Sequence, residues 1–565
     1  MNLKNPKIPF FVYALFGAFS VSFADVPAVN QLGFSPESQK QFVVKGSDTA
    51  SVEIRELLTN KLDIRLAAPR AVYDGASGDT VQLFDFSSVQ REGSYAVVRH
   101  GNVLGSPVLI RKNPYRDLAE ASLKWFYFQR AGMALEARYA GIWARPAGHL
   151  DTAVRIYGTD RKISAPKGWY DAGDFGKYIV NSNITVATLL KFYEDFPAYA
   201  KRLEWNIPRE GKKFPALLEE VKWNLDWMLS MQDTDGGVFH KLTSLDFCGD
   251  IMPHEDTLSR FAIGKGITSS LGFAGVMAQA SRVYRKFDKG YSQKLLAAAR
   301  RAYDFSQKNP ALFYEQPKDV STGSYIAKGE DGKDEFRFAA AELFEATREK
   351  RYLDDLKALT LFADKNSGLW WGDLNLLAVF RVAESSAFGD SLKNEAKRLL
   401  FNAADALLAD YDSSAYRVPV SSRKWTWGSN SAVANNGIIL IQAYRISKDK
   451  KYRRAAEEAL SYLLGKNPLR LSYVTGFGSR SPMHPHHRQS EADSVLLPIP
   501  GMLVGGPHLG KQDVGEESWK CPDYAVKGFP AIAYLDSACS YATNEVAINW
   551  NAPLAYLAGA LDAIP

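Results

Sequence analysis

Cysteine is nearly absent: Cys248, Cys521 and Cys539 are the three in 565 residues. None has CxxC metal spacing, and an odd count allows at most one disulfide, for which Cys521 and Cys539 are the nearest pair. Long apolar runs are missing as well. Beyond the first 24 residues no stretch approaches the roughly 18 uninterrupted apolar residues that a membrane span requires. Charge of one sign is also lacking. Lys plus Arg number 69 against 63 Asp plus Glu, a formal net charge of +6, and Lys4 and Lys7 of that excess belong to a leader. Such a balance is too mild for a nucleic-acid surface. With 46% hydrophobic and 23% charged residues, disorder, collagen and multi-span membrane classes are excluded. Aromatic side chains are plentiful at 12%, with 12 Trp and 27 Tyr. They serve a core, and they also suit a flat-faced ligand such as a sugar.

Residues 1–24 read as a secretory signal: Lys4 and Lys7, an apolar run from Ile8 through Phe19, then Ser22-Phe23-Ala24 as a small-x-small site before Asp25. Cleavage alone separates this from a retained N-terminal anchor. The expected destination is secreted or periplasmic. Residues 25–112 alternate in short strand-like runs such as Ser51-Val52-Glu53-Ile54-Arg55, divided by Gly, Ser and Asp turns, which predicts a small all-β sandwich. At Asn113-Pro114 the period changes from two to 3.6, and helical patterns dominate 113–565, among them Ile179 to Phe192, Gly266 to Lys286 and Lys451 to Leu464. Two helices meet the same stop, Asn309-Pro310 and Asn467-Pro468. Helices recurring with long Gly-, Trp- and Asp-bearing loops suit a closed ring of helix pairs, whose loops share one cleft.

Three constellations carry chemistry. The first is Asp171-Ala172-Gly173-Asp174-Phe175-Gly176, at the entrance to a helix. Asp174 could be no more than an N-cap. Alternatively, helix N-terminal N–H groups would keep one aspartate ionised as a base that activates water. The second is Tyr534-Leu535-Asp536 with Asn544-Glu545. Glu545 has uncharged neighbours, a setting that raises a carboxyl pKa and suits a general acid. The third is His484-Pro485-His486-His487-Arg488. It lacks the helical spacing of HExxH metal sites, and His486 and Arg488 can bind hydroxyl groups without a metal.

Together these segments resemble the signatures of family 9 glycoside hydrolases, the inverting cellulases. Asp171-Ala-Gly-Asp174 is similar to the family's aspartate pair, Pro485 to Arg488 to its histidine motif, and Asp536 with Asn544-Glu545 to its closing acid motif, in family order. Val29-Asn30-Gln31-Leu32-Gly33-Phe34 is similar to the start of the immunoglobulin-like module that precedes the catalytic domain in one branch. The resemblance implies an immunoglobulin-like sandwich before an (α/α)6 barrel, and a hydrolase of β-1,4-glucosidic bonds in cellulose or related β-glucans. It implies Asp174 as base, Asp171 holding the water, Glu545 as acid, His486 and Arg488 on sugar hydroxyls, and Asp536 supporting the acid. Endo action is expected, on soluble or amorphous glucan, by a monomer. The alternatives are an exo-acting cellodextrinase or β-glucosidase of the same fold, a carbohydrate-binding protein without turnover, and a polysaccharide lyase.

The resemblance also implies metals. The branch's structural zinc ligands fall at Ala131, Gly148, His149 and Tyr170, where only His149 could coordinate, so no zinc is expected. Glu330, Asp331, Asp334 and Glu335, with Asp373, resemble a family calcium loop, with Asp334 and Glu335 as the metal ligands. No cofactor is needed for the chemistry itself.

Overall fold

In the computed structural model the described residues are 26–209, 211, 213–359, 368–421, 425–515, 520–525 and 528–564. The leader read at 1–24 lies outside the described residues. Nine strands come first: β1 (Ala28–Val29), β2 (Gln41–Lys45), β3 (Val52–Glu56), β4 (Leu62–Leu66), β5 (Val72–Asp74), β6 (Asp79–Asp85), β7 (Gly93–Arg99), β8 (Asn102–Val103) and β9 (Val108–Ile110). They form two sheets ordered β1-β2-β6-β5 and β4-β3-β7-β8, with β9 also on β7. Alternation explains β3. Val52 and Ile54 enter the core with Phe42, Phe84, Tyr95 and Val97, while Glu53 faces out and accepts from Arg55 at 2.7 Å and from Arg65 across the strand pair.

Strand β2 breaks the alternation, being buried on both faces. Phe42 and Val44 fill the sandwich, and Val43 turns outward to pack with Ala28, Val81 and Tyr416 of the helical region. Polar contacts extend this interface. Asn30 donates to the Tyr115 hydroxyl at 3.1 Å, the Gln31 amide carbonyl accepts from the Ser479 and Arg480 N–H groups at 2.8 and 3.1 Å, and Tyr416 donates to Asp79 at 2.9 Å.

From Arg116 onward helices dominate. Among the described helices, every second long helix from Ile179 onward is mostly buried, these being Ile179–Asp195, Ile267–Tyr284, Lys333–Thr347, Asn375–Glu384, Ser429–Ser447 and Ile548–Ala563. They alternate along the chain with helices that bury one face, such as Lys289–Lys308 and Asp390–Ser413. Glycines allow the buried helices to touch: a Cβ on Gly559 would lie 2.4 Å from the Phe192 ring. The two Asn-Pro stops work through side chains. Asn309 donates to the Phe305 carbonyl at 2.8 Å and Asn467 to the Tyr462 carbonyl at 2.7 Å, satisfying acceptors that a helix end leaves open. Cys521 and Cys539 form a disulfide, with Cα atoms 5.4 Å apart. No described helix is long and apolar enough to cross a membrane.

The C-terminal ends of the buried helices carry a closed set of charges. Glu194 pairs with Arg282 and Arg381 at 2.6 Å each, Glu342 pairs with the same two arginines, and Asp195 and Glu384 share Lys191 and Arg445. The opposite ends, at the helix N-termini, are open and carry the loops described next.

The β2 interface assigns the sandwich a structural task. A chain beginning at Asn113 is expected to be insoluble or to melt far below the full chain, because it exposes Tyr416, Tyr115 and the Ser479 loop at once. Unchanged melting with weaker substrate binding would assign the sandwich to ligand capture instead.

Candidate active site

A small sheet positions the aspartate loop. Its strands are β10 (Val154–Ile156), β11 (Lys162–Ile163), β12 (Lys177–Tyr178), β13 (Phe239–Thr243) and β14 (Phe261–Lys265), in the order β11-β10-β14-β13-β12. The loop 171–176 leads into β12, and buried cations hold it from behind. Lys177 donates to the Ala165 and Lys167 carbonyls and pairs with Asp151 at 2.7 Å, and Arg260 donates to the Phe175 carbonyl at 2.9 Å. Gly173 permits close approach of the histidine motif, since a Cβ there would lie 2.4 Å from the His486 carbonyl. The Arg488 N–H donates to the Gly173 carbonyl at 3.0 Å.

The closing acid motif docks on the same two loops. His486 and Glu545 form a parallel bridge, the His486 N–H donates to Asn544, and the Ile548 N–H donates to the Asp171 carbonyl at 2.8 Å. Residues hundreds of positions apart therefore meet. Asp174, His486, Arg488 and Glu545 line one open cavity of about 1160 Å³. Part of its wall comes from segments just ahead of the buried helices: Tyr178, Trp370 and Trp371, Trp427 and Gly428, and Glu545 with Ala547. Trp370 and Trp427 are exposed within it.

Asp171 lies under the floor, fully buried. Its carboxyl oxygens accept from Asn181 at 2.9 and 2.8 Å and from the Tyr325 hydroxyl at 2.6 Å. Burial, followed by the neighbouring Asp174 carboxylate, pushes it up to about 8. Asp174 accepts from the Gly176 N–H at 3.1 Å and the Tyr178 hydroxyl at 3.2 Å. No helix N-terminal N–H holds either aspartate: the helix begins at Ile179 with Tyr178 at its N-cap position, the donors to Asp174 are the Gly176 N–H and the Tyr178 hydroxyl, and those to Asp171 are the Tyr325 hydroxyl and the Asn181 side chain. The helix-dipole expectation, and the N-cap reading of Asp174, are thereby corrected. Strand β12 separates the loop from the helix.

Glu545 is raised well above the ordinary carboxyl value by burial, with Asp174 and Asp171 adding to the effect and Arg488 opposing it. His486 donates through Nδ1 to the Ala538 carbonyl at 2.6 Å, and burial lowers it to about 4, so the ring is neutral at pH 7. Arg488 lies over the Phe247 ring at 5.5 Å and donates to the Cys248 carbonyl at 3.1 Å. His487 turns away, to Gln129 at 3.1 Å and Ser490 at 2.9 Å. Asp536 stands behind the cavity wall. It accepts from the Met483 and His484 N–H groups at 2.8 and 3.0 Å and from Asn544, next to Glu545, at 3.1 Å. Asp513, fully buried, accepts from Ser540 and from the Ala542 N–H, fixing the turn that delivers Glu545.

The positions compared with zinc ligands hold a hydrogen-bonded chain. His149 Nδ1 meets the Tyr170 hydroxyl at 2.8 Å and Nε2 meets Asp256 at 3.1 Å. Asp334 and Glu335 sit in the first turn of Lys333–Thr347, away from the cavity wall. Asp334 accepts from the Leu374 N–H at 2.7 Å, Asp331 pairs with Lys333, and Asp373 accepts from the Gly368 and Asn375 N–H groups. Among the described residues no group of three or more His, Cys, Asp or Glu is preassembled for a metal ion. Tyr325, Trp370, Phe247 and Asp513 are the site residues that sequence reading missed. They stand in loops without periodicity or motif, and only their neighbours in space give them a role.

The chain as a whole has known relatives. Glycosyl hydrolase family 9 matches residues 115–558, and the cellulase N-terminal Ig-like domain matches 27–103. The chain belongs to glycosyl hydrolase family 9. The family 9 enzymes it resembles include a xyloglucan-specific endo-β-1,4-glucanase of Bacteroides ovatus, 36% identical over 96% of this chain and 94% of that protein. Endoglucanase D of Acetivibrio thermocellus is 31% identical over 94% of this chain and 82% of that protein. A solved Bacteroides ovatus family 9 structure superposes with a TM-score of 0.88 at 34% identity, covering 96% of this chain and 99% of that one. The family 9 resemblance read from the sequence, with its immunoglobulin-like N-terminal domain, is thus borne out, and this glycoside hydrolase carries a sandwich ahead of its helical domain.

Crowding of acids in this family 9 site has a consequence for stability. Asp171 is raised in the folded chain, so folding takes up a proton that the unfolded chain releases above about pH 4. Its contribution is most favourable below that pH and is lost progressively up to about 8. The melting temperature is expected to fall from pH 5 to pH 8, and less steeply in Asp171→Asn, which is also expected to be inactive. Equal slopes in thermal melts of the two proteins would remove Asp171 as a source of the pH dependence.

Proposed function

We propose that the protein is an exported, endo-acting β-1,4-glucanase that hydrolyses with inversion. The carrying observation is that one cavity is lined by Asp174, which only accepts hydrogen bonds, and by Glu545, whose carboxyl is driven toward its protonated form. Glu545 gives its proton to the glycosidic oxygen as the C1–O bond breaks, and a water attacks C1 from the other face while Asp174 takes its proton. Asp171, set by Tyr325 and Asn181, orients that water from beneath. His486 and Arg488 bind sugar hydroxyls beside the scissile bond, and Trp370 and Trp427 offer apolar faces for pyranose rings. Asp536 supports the acid by pinning Asn544.

Endo action is supported by the names of the relatives and by the open cavity. The Bacteroides ovatus relative directs the choice among soluble glucans toward xyloglucan beside plain and mixed-linkage chains. The mostly buried helices, alternating along the chain with helices nearer the surface, are read as an (α/α)6 barrel with a domain boundary at 112/113. We take the working form as a monomer that needs no zinc, its leader removed before Asp25 and its destination secreted or periplasmic.

Proton NMR of fresh digests of soluble β-1,4-glucan, xyloglucan and mixed-linkage glucan tests the reaction. Initial α-anomers of mixed length, absent with Asp174→Asn, are expected. Initial β-anomers would overturn inversion, and products of one short length would favour exo action. Glu545→Gln is expected to lose about 10²–10⁴-fold on glucans and much less on aryl glycosides with good leaving groups, which do not need the acid. Equal losses on both would deny Glu545 that role.

Calcium belongs to the same proposal. Glu335 is raised well above its ordinary value by burial and by Asp334, and Glu330 is raised by burial with Asp334 adding to it. Such crowded carboxyl groups are what a divalent cation would neutralise, with Asp334 and Glu335 supplying oxygen ligands after a shift of side chains. Chelator-treated protein is expected to melt higher when calcium is added. No change over millimolar calcium would withdraw the ion.

A further inference from the structure

Strand β13 runs buried behind the aspartate loop and pairs antiparallel with β12, which sets Lys241 directly opposite Tyr178. Lys241 is wholly buried and is not part of the cavity wall. Its Nζ lies 3.1 Å from Gln316 Oε1, 3.1 Å from the Thr322 carbonyl, 3.0 Å from the Thr322 hydroxyl and 3.0 Å from the Gly323 carbonyl, and 5.8 Å from the centre of the Tyr178 ring. Its strand neighbours grip the same segment. His240 Nε2 meets the Ser324 carbonyl at 2.8 Å while its ring stacks on Tyr314 at 3.9 Å, and the Thr243 and Thr322 hydroxyls meet at 3.0 Å.

The residue after this gripped segment is Tyr325, whose φ of +47° is a conformation that costs energy for a side chain of its size. Its hydroxyl donates to Asp171 at 2.6 Å, Tyr178 donates to Asp174 at 3.2 Å, and the two rings pack edge to face at 4.7 Å. Each aspartate therefore receives one tyrosine hydroxyl, and Lys241 bears on both tyrosines: on Tyr178 across the strand pair, and on Tyr325 through the segment that holds its strained backbone.

We propose that Lys241 is a positioning residue for the aspartate pair: its ammonium clamps Gln316 to Gly323 and backs Tyr178, so that both tyrosine hydroxyls are held on Asp171 and Asp174. It touches no reacting atom. The inference rests on the hydrolase reading above and deepens it. All four partners of Nζ can accept, which suits an ammonium rather than a neutral amine. The charged and titratable groups around it are Asp174 and Tyr178 on the loop and β12, and His240 beside it on β13. Burial lowers the lysine to about 7, with Asp174 opposing that fall. Burial lowers His240 to about 3, leaving its ring neutral.

Steady-state kinetics on soluble β-glucan across pH test this with wild type, Lys241→Met, Thr322→Val, Tyr325→Phe and the Lys241→Met/Tyr325→Phe pair. Lys241→Met is expected to lower kcat about 10–100-fold with KM within about threefold, since the lost interaction acts on the reaction rather than on binding. The acid limb of its kcat/KM profile is expected to move to higher pH, by about half a unit or more, as Asp174 loses a neighbouring charge. Thr322→Val should move both readouts in the same direction by less, and the paired variant should lose less than the product of the single losses. Unchanged kcat and acid limb in a folded Lys241→Met, a KM rise at constant kcat, or fully additive losses would each overturn the proposal. Should Lys241→Met fail to fold, a Thr322→Val with wild-type kcat and acid limb overturns it. Wild type inactive on every β-glucan overturns the hydrolase reading and this inference with it, whereas active wild type beside indistinguishable variants overturns the inference alone.

Discussion

Charges buried at the C-terminal ends of the six central helices can exist only as a complete set. Glu194, Asp195, Glu342 and Glu384 are surrounded by Lys191, Arg282, Arg381 and Arg445. Burial by itself would drive Glu194 to its neutral form, and the attraction of Arg282 and Arg381 outweighs that, leaving it held low. Removing one partner of such a largely buried set costs up to about 3–5 kcal/mol, because the remaining charge is mostly shielded from solvent. Five of the six buried helices contribute a charge, and Tyr556 of the last donates to Asp195 at 2.5 Å. These ends are thereby tied to one another, and the opposite ends are left to carry loops into the cleft.

At that open end the electrostatics are inverted. Three carboxyl groups share one region: Asp171 and Glu545 are both driven toward protonation, largely by burial and then by Asp174, with Asp171 adding to the effect on Glu545. Such crowding opposes stability. The loops tolerate it because each is anchored from outside the cavity. Lys177, Arg260 and Lys241 hold the aspartate side, and Asp513 and Asp536 hold the glutamate side.

The sandwich belongs to the same economy of anchoring. Gln31 accepts from the N–H groups of Ser479 and Arg480, on the segment that continues into the histidine motif. Its own N–H donates to the Leu464 carbonyl at 2.9 Å, and a Cβ on Gly465 would lie 2.5 Å from its amide nitrogen and one on Gly478 2.6 Å from its amide oxygen. The first domain therefore bears on the loop leading to the histidine motif through one glutamine seated between two glycine-permitted approaches.

Much was legible without coordinates where local chemistry is self-sufficient. The period change near Asn113 separates strands from helices because apolar spacing must follow the geometry of the element that buries it. The alternation of β3 and the Asn-Pro helix stops follow for the same reason. Asp171, Asp174, His486, Arg488 and Glu545 could be singled out because residue types and order identify a family's motifs. Other features could be decided only by the folded chain. Burial of both faces of β2 depends on Tyr416, far along the chain. Tyr325 and Lys241 have no local signature, since their partners are Asp171 and Thr322 in space. The helix expected to hold the aspartates starts too late, because β12 must first pair with β13. Even the Glu545 shift, expected from its uncharged neighbours, draws part of its size from aspartates some 370 positions away. Local pattern depends on neighbours in sequence, whereas proton affinity, strain and cavity shape depend on neighbours in space, and these exist only once the helices have closed around the cleft.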